Sequence, residues 1–239
     1  MHNWVWTERK KQIENEAEKQ LYLFDPVLLQ EPKEYDIYGA VEKCLAVEYD
    51  WKYITPDARI LGLTAFHSGY FYVSPLPYYK EGMKPEKIYL SRGSILIDAR
   101  LTETNQIGRE RFTVAHEMGH QILHCEFFAR QSCDYLLGYS EKNEDIDFPK
   151  SEIDQIEMEA NYFAASFLMP RCVVIDQFQK LTRNFKSDYP ISEDVGLKSK
   201  IFRMSEMFQV SYTAMRYRLA NLGLISACSA ETYQLKLPF

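Results

Sequence analysis

The chain has 239 residues, 46% of them hydrophobic and 26% charged, which suits one well-cored domain, or one core with a small appendage, and excludes disorder over its bulk. Lys and Arg number 28 against 34 Asp and Glu, a net charge of −6; this argues against a protein coated by nucleic acid, although a local basic patch is compatible with it. Cys44, Cys125, Cys133, Cys172 and Cys228 are widely spaced and contain no CxxC pair, which fits neither a disulfide framework nor a thiolate zinc site. The start MHNWVWTERKKQ has no signal-peptide run, and no stretch approaches the ~18 apolar residues of a membrane span. The composition therefore reads as cytoplasmic and reduced.

In chain order, residues 7–24 read as a charged helix that breaks at Asp25-Pro26, and a second helix is expected over Ile37–Val47. RILGLTAF (59–66) and SGYFYVSP (68–75) read as strands joined by a hairpin turn at His67-Ser68-Gly69. Further strands are expected at IYL (88–90) and SILIDA (94–99). Helical periodicity begins near Arg109, where Phe112, Ala115, Gly119, Ile122 and Leu123 form one apolar stripe. An acidic excursion follows, with six carboxylates and two lysines between 141 and 154, and then the compact helix IEMEANYFAASFLM, stopped by Pro170. At least three helical segments fill 171–239. Strands first and helices after make the chain α+β.

His116-Glu117-Met118-Gly119-His120 is an HExxH motif on a predicted helix. Four residues make about one turn, so both imidazoles project from one face and can reach a single zinc ion. Glu117 lies beside that face, placed to accept a proton from water as the catalytic base. A catalytic zinc needs a third protein ligand and an open position. The extended HExxHxxGxxH version fails, because Leu123 and Glu126 occupy the required positions. His124, a further ~6 Å along the helix, is too far to share the ion and reads as a supporting or structural residue. A carboxylate entering the apolar helix at Glu159 is costly unless paired or bound to a cation, which favours Glu159 as third ligand. Glu157 and Asp154 are its rivals. Mn²⁺ or Fe²⁺ suits the same donor set as Zn²⁺.

RFTVAHEMGHQILH (111–124), EANYFAASFLMP (159–170) and the upstream ILGLTAF together resemble the ImmA/IrrE family of bacterial metallopeptidases, over roughly residues 37–225. The resemblance implies His116, His120 and Glu159 as metal ligands, Glu117 as catalytic residue, and Asn161 beside the last ligand. It also implies a zincin-like fold, with a small mixed or antiparallel sheet over the HExxH helix and a helical carboxy-terminal subdomain. The organisation expected is an amino-terminal helical segment (1–36), the metallopeptidase domain (37–170) and the carboxy-terminal subdomain (171–239). The 131–154 stretch is longer than usual in that family. Candidates for an oxyanion donor are Tyr162, His124 and Arg111. SILIDAR, read as an edge strand, offers an extended peptide a partner by strand addition.

The substrate that the resemblance implies is a helix-turn-helix transcriptional repressor, whose cleavage derepresses stress-response or mobile-element genes. An acidic 141–154 segment offers a basic repressor a docking surface, although such loops are usually just solvated. An alternative function is a metal-stabilised anti-repressor that binds without cutting. Another is a DNA-binding regulator, because SEMFQVSYTAMRYRLANLGLI (205–225) has helix-turn-helix spacing. In that pattern Ser211 is the N-cap and Gly223 the C′ residue, with Tyr212, Thr213 and Arg216 where a recognition helix faces bases, and with Arg216 and Arg218 as the pair whose loss would weaken DNA binding. Residues 195–239 carry six Lys and Arg against two Asp and Glu. Such helix pairs are commonly packing units, so a structural or substrate-docking tail is preferred to DNA binding.

Overall fold

The computed structural model describes residues 2–103, 106–129, 150–182 and 195–226. Among them the elements are α1 (His2–Phe24), a 3₁₀ turn (Pro26–Leu29), α2 (Ile37–Leu45), β1 (Tyr49–Lys52), β2 (Gly62–Thr64), β3 (Gly69–Val73), β4 (Glu86–Leu90) and β5 (Ile95–Asp98). Helices α3 (Arg100–Glu103), α4 (Ile107–Ala129), α5 (Lys150–Leu168), α6 (Arg171–Thr182), α7 (Val195–Met207) and α8 (Tyr212–Asn221) follow. The chain is α+β. No described helix is long and apolar enough to cross a membrane. Most of the acidic 141–154 segment lies outside the described residues, as do Cys133 and Cys228.

Two compact units divide the chain, one of Ile37–Ala164 and the other of Met1–Asp36 with Ala165–Phe239. The amino-terminal helix and the carboxy-terminal helices, read from sequence as separate segments, thus group together.

In the 37–164 unit the three-stranded sheet has the order β1-β5-β2, with β1 parallel and β2 antiparallel to β5. β5 is the centre, and all four of its residues are buried. A strand covered on both faces reads as a continuous apolar run, which is why Ile95-Leu96-Ile97 shows no alternation. The edge-strand reading of SILIDAR is therefore corrected: both edges of β5 are taken, and the sheet's free edges belong to β1 and β2. The hairpin expected at His67-Ser68-Gly69 is corrected too. β2 pairs with β5, whereas β3 pairs with β4 in a separate two-stranded ribbon, Tyr70 opposite Tyr89. Ile54, Leu63, Ala65, Val73, Leu90 and Leu96 form one buried cluster shared by sheet and ribbon. Each of the larger aliphatics, Ala65 aside, contributes about 1.5–3 kcal/mol on burial.

At the end of β5, Asp98 is fully buried and its charge is matched. Arg100 Nε donates to Oδ1 at 2.7 Å and Nη2 to Oδ2 at 2.6 Å, while the Ile54 amide donates to Oδ2 at 3.1 Å. A buried charge broken from such partners is strongly destabilising, so this pair fixes where the sheet hands over to α3 and α4.

The second unit is knit by a buried ion pair. Arg218 of α8 is fully buried and clamps Glu14 of α1 bidentately, Nη1 to Oε1 at 2.6 Å and Nη2 to Oε2 at 3.0 Å, while its Nε donates to the Met169 carbonyl at 3.0 Å. Ser211 does cap α8, its Oγ accepting from the Ala214 amide at 3.1 Å, and Gly223 follows the helix at φ +70°. Arg218 is directed inward, so it is not the solvent-facing DNA contact expected for it.

Candidate metal centre

Helix α4 is buried around most of its circumference from Arg111 to Gln121, which makes the polar groups it carries inward unusual and costly unless partnered. Close approach of α5 is possible because residue 119 is glycine. A Cβ there would lie 3.2 Å from both the Ala160 carbonyl oxygen and Phe163 Cβ. With α5 that near, three donor atoms from the two helices converge.

His116 Nε2 and His120 Nε2 are 2.9 Å apart, as their one-turn separation dictates. Glu157 on α5 completes the group, with Oε2 3.3 Å from His116 Nε2 and Oε1 3.2 Å from His120 Nε2. All three ligand atoms lie within 4.8 Å of one another. The other ring nitrogens are engaged elsewhere: His116 Nδ1 with Asn161 Oδ1 at 3.0 Å, and His120 Nδ1 with His124 Nδ1 at 3.2 Å. An amide oxygen only accepts, so His116 keeps a proton on Nδ1, and Nε2 is the nitrogen that turns to a cation once the ring is neutral. Glu157 Oε1 is buried without a hydrogen-bond partner among the described residues. Two imidazole lone pairs and an orphaned carboxylate oxygen aimed at one point are a donor set for a divalent cation, and the N₂O chemistry suits zinc.

Glu159, expected as the third ligand, is not at that point. Its Oε2 lies 3.4 Å from His124 Nε2, and its Oε1 accepts from Gln155 Nε2 at 3.0 Å. The physical reason is helix geometry: residues two apart are separated by about 200° around an α-helix, so Glu157 and Glu159 cannot serve one centre. Glu159 is buried and paired with His124 and Gln155. Glu157, whose side chain is 22% exposed, leaves the centre a route to solvent. One sequence signal for Glu157 was available, since it stands four residues from Asn161 and shares a face with it.

Glu117 is buried on α4, and its Oε2 accepts from Thr64 Oγ1 of β2 at 2.7 Å. Gly62 of the same strand makes room for it, since a Cβ there would lie 2.5 Å from Glu117 Oε1. Burial pushes the Glu117 carboxyl up, the His116 charge and the Thr64 hydroxyl partly offset this, and the result is about 7. Burial pulls His120 down to about 4, outweighing the pull of Glu157. In His116 burial acts the same way, but the Glu157 charge and hydrogen bond prevail and hold it at about 9. Glu157, facing both imidazoles, lies well below the usual carboxylate range despite its burial. In the absence of a cation the centre thus keeps a proton on His116.

Of the other residues expected near the site, Asn161 holds His116, and His124 lies behind His120, turned toward Glu159. Arg111 is buried on α4, about 140° around the helix from His116, and Tyr162 is half-buried next to Asn161.

A family model described as the IrrE N-terminal-like domain of the M78 peptidases matches residues 66–220, a span that contains His116, Glu117, His120, Glu157 and Asn161. Comparison with curated proteins returns no match.

Proposed function

The chain belongs to the M78 peptidase family, and from that premise we propose that it is a zinc-dependent, zincin-like endopeptidase that cleaves a helix-turn-helix transcriptional repressor. The observation that carries the catalytic part is the convergence of the His116, His120 and Glu157 donors, with both imidazoles tied at Nδ1. These three residues would hold the cation, zinc in this reading, with Mn²⁺ or Fe²⁺ compatible with the same donors. When bound, it supplies Lewis acidity, lowering the pKa of water and polarising the scissile carbonyl.

The chain's own residues do the rest. Glu117, poised near neutrality, takes the proton of the attacking water and delivers it to the leaving amine. Thr64 fixes the carboxylate's direction through Oε2. Asn161 keeps the proton of His116 on Nδ1. Among the edges of the three-stranded sheet, β1 and β2, an extended peptide meets Thr64 on β2.

The repressor as substrate, and a cytoplasmic place of action with it, rest on the family resemblance of the motifs. The test is incubation of the wild-type protein and Glu117→Gln with helix-turn-helix repressors of the same organism, beginning with any encoded near this chain's gene. Cleavage by wild type alone is the expected result. If Glu117→Gln relieves repression as fully as wild type, the protein acts as an anti-repressor that binds without cutting. A DNA-binding role for α7 and α8 is weakened, because Arg218 is spent on Glu14.

A further inference from the structure

We propose that Glu159 is a positioning residue that acts through His124 to set the tautomer of His120, so that His120 presents a bare Nε2 to the cation centre; this rests on the metal-site reading above. Four side chains lie in series, from exposed Gln155 inward through Glu159 and His124 to His120, at 3.0, 3.4 and 3.2 Å. Glu159, His124 and His120 are each less than a tenth exposed, so solvent does not supply substitute partners.

The polarity of the series follows from its far end. An ionised carboxylate only accepts hydrogen bonds, so His124 donates to Glu159 from Nε2. With a single proton on the His124 ring, held at Nε2 by Glu159, its Nδ1 is a lone pair and accepts. The atom it faces is His120 Nδ1, which donates, and the remaining lone pair of His120 lies on Nε2. That is the nitrogen 2.9 Å from His116 Nε2 and 3.2 Å from Glu157 Oε1. Reversing any link would put a proton on Nε2 and block a ligand position. His116 is set separately, by Asn161, so the two ligand histidines have independent anchors. The same logic explains two acidic residues so close on α5, one supplying a ligand atom and the other orienting a ligand one residue removed. Outer partners of this kind typically change metal affinity by about 10–100-fold when removed.

The experiment combines two readouts on the full chain. The first is imidazole nitrogen NMR on the metal-free wild-type protein, which needs no variant; His120 protonated at Nδ1 and His124 at Nε2 is expected, and His120 protonated at Nε2 overturns the proposal. The second is zinc affinity by chelator competition for wild type, Glu159→Ala, Glu159→Gln and Glu157→Ala, with circular dichroism to confirm folding. Glu159→Ala should weaken zinc about 10–100-fold. Glu159→Gln, whose amide oxygen still accepts from His124, should stay within a few-fold of wild type. Glu159→Ala binding as tightly as wild type overturns the proposal while leaving the metal site standing. Both Glu159 variants losing zinc as completely as Glu157→Ala also overturns it, since Glu159 would then be a ligand. Wild type that binds no zinc removes the metal-site reading itself, and the nitrogen spectra still decide the tautomer.

Discussion

Glu157 and Glu159 stand two residues apart on α5 and serve different histidines: Glu157 faces His116 and His120, and Glu159 faces His124. The helix turns them apart, so one approaches the ion position and the other the layer behind it. Replacing either acidic residue perturbs the same function by a different route.

The metal-free centre keeps a proton on His116, raised to about 9 because the Glu157 charge overrides burial. A cation must displace that proton. Below about pH 9 the apparent zinc affinity should therefore fall about tenfold per pH unit, and above it the dependence should flatten. Calorimetry at pH 7.5 in buffers of different ionisation enthalpy should register about one proton released per ion. Equal affinity at pH 6.5 and 8.5 would contradict this assignment.

Glu117 is expected to trade stability for activity. Burial raises its carboxyl from 4.5 to about 7, so the folded state holds the proton more tightly than the unfolded chain. The resulting stabilisation is complete below about pH 4.5 and is lost as the pH rises through 7, a swing of about 3 kcal/mol. Metal-free Glu117→Gln should lack that swing, matching wild type at pH 5 and exceeding it at pH 8 in urea unfolding. Its turnover should be lower by about 10²–10⁴-fold with zinc content unchanged. Parallel pH–stability curves for the two proteins would count against a buried, proton-holding Glu117.

Gly62→Ala should damage catalysis without touching a ligand. The added Cβ would sit 2.5 Å from Glu117 Oε1 and 2.8 Å from Thr113 Cγ2, so the base must move. A displacement near 1 Å costs roughly 10²-fold in rate, and overpacking costs about 1–3 kcal/mol. The measurement is kcat at matched zinc content, together with a melting curve. Unchanged kcat would show that Glu117 does not act from the position it holds here.

Arg218→Ala should cost about 3–5 kcal/mol, because it removes the bidentate partner of buried Glu14. Replacing both partners with apolar residues, Arg218→Met with Glu14→Leu, should recover much of that loss. Urea unfolding of the single and double variants forms the cycle. A cost under about 0.5 kcal/mol, as for a surface arginine, would be incompatible with the clamp.

What could be read from the sequence tracks how local each signal is. The HExxH pair depends only on one helical turn, and the structure brings its imidazoles together as that spacing requires. β2 through β5 were visible as apolar segments, but their partners were not: Leu63 pairs with Leu96, across intervening chain that looked like a hairpin. β1 was missed because Tyr49-Asp50-Trp51-Lys52 is polar and lies at an edge, where burial imposes no apolar pattern. Glu159 attracted the ligand assignment because a buried carboxylate demands a partner. The chain meets that demand with His124 and Gln155, a pairing across helices that spacing alone does not reveal. Arg218 looked like a surface contact for the same reason, its partner being 204 residues away.

That separation bears on the order in which the protein is made. At synthesis rates of roughly 5–20 residues per second, Glu14 emerges about 10–40 s before Arg218 exists to meet it. Ile13, Ala17 and Leu21, fully buried in the finished protein, wait out the same interval without the α8 contact that fixes their helix. The 37–164 unit has no such wait, since every group of its metal centre is translated by Asn161. A nascent chain can thus carry every donor of the proposed metal centre while its first helix still lacks its α8 partner, which leaves that helix open to chaperones and proteases during translation.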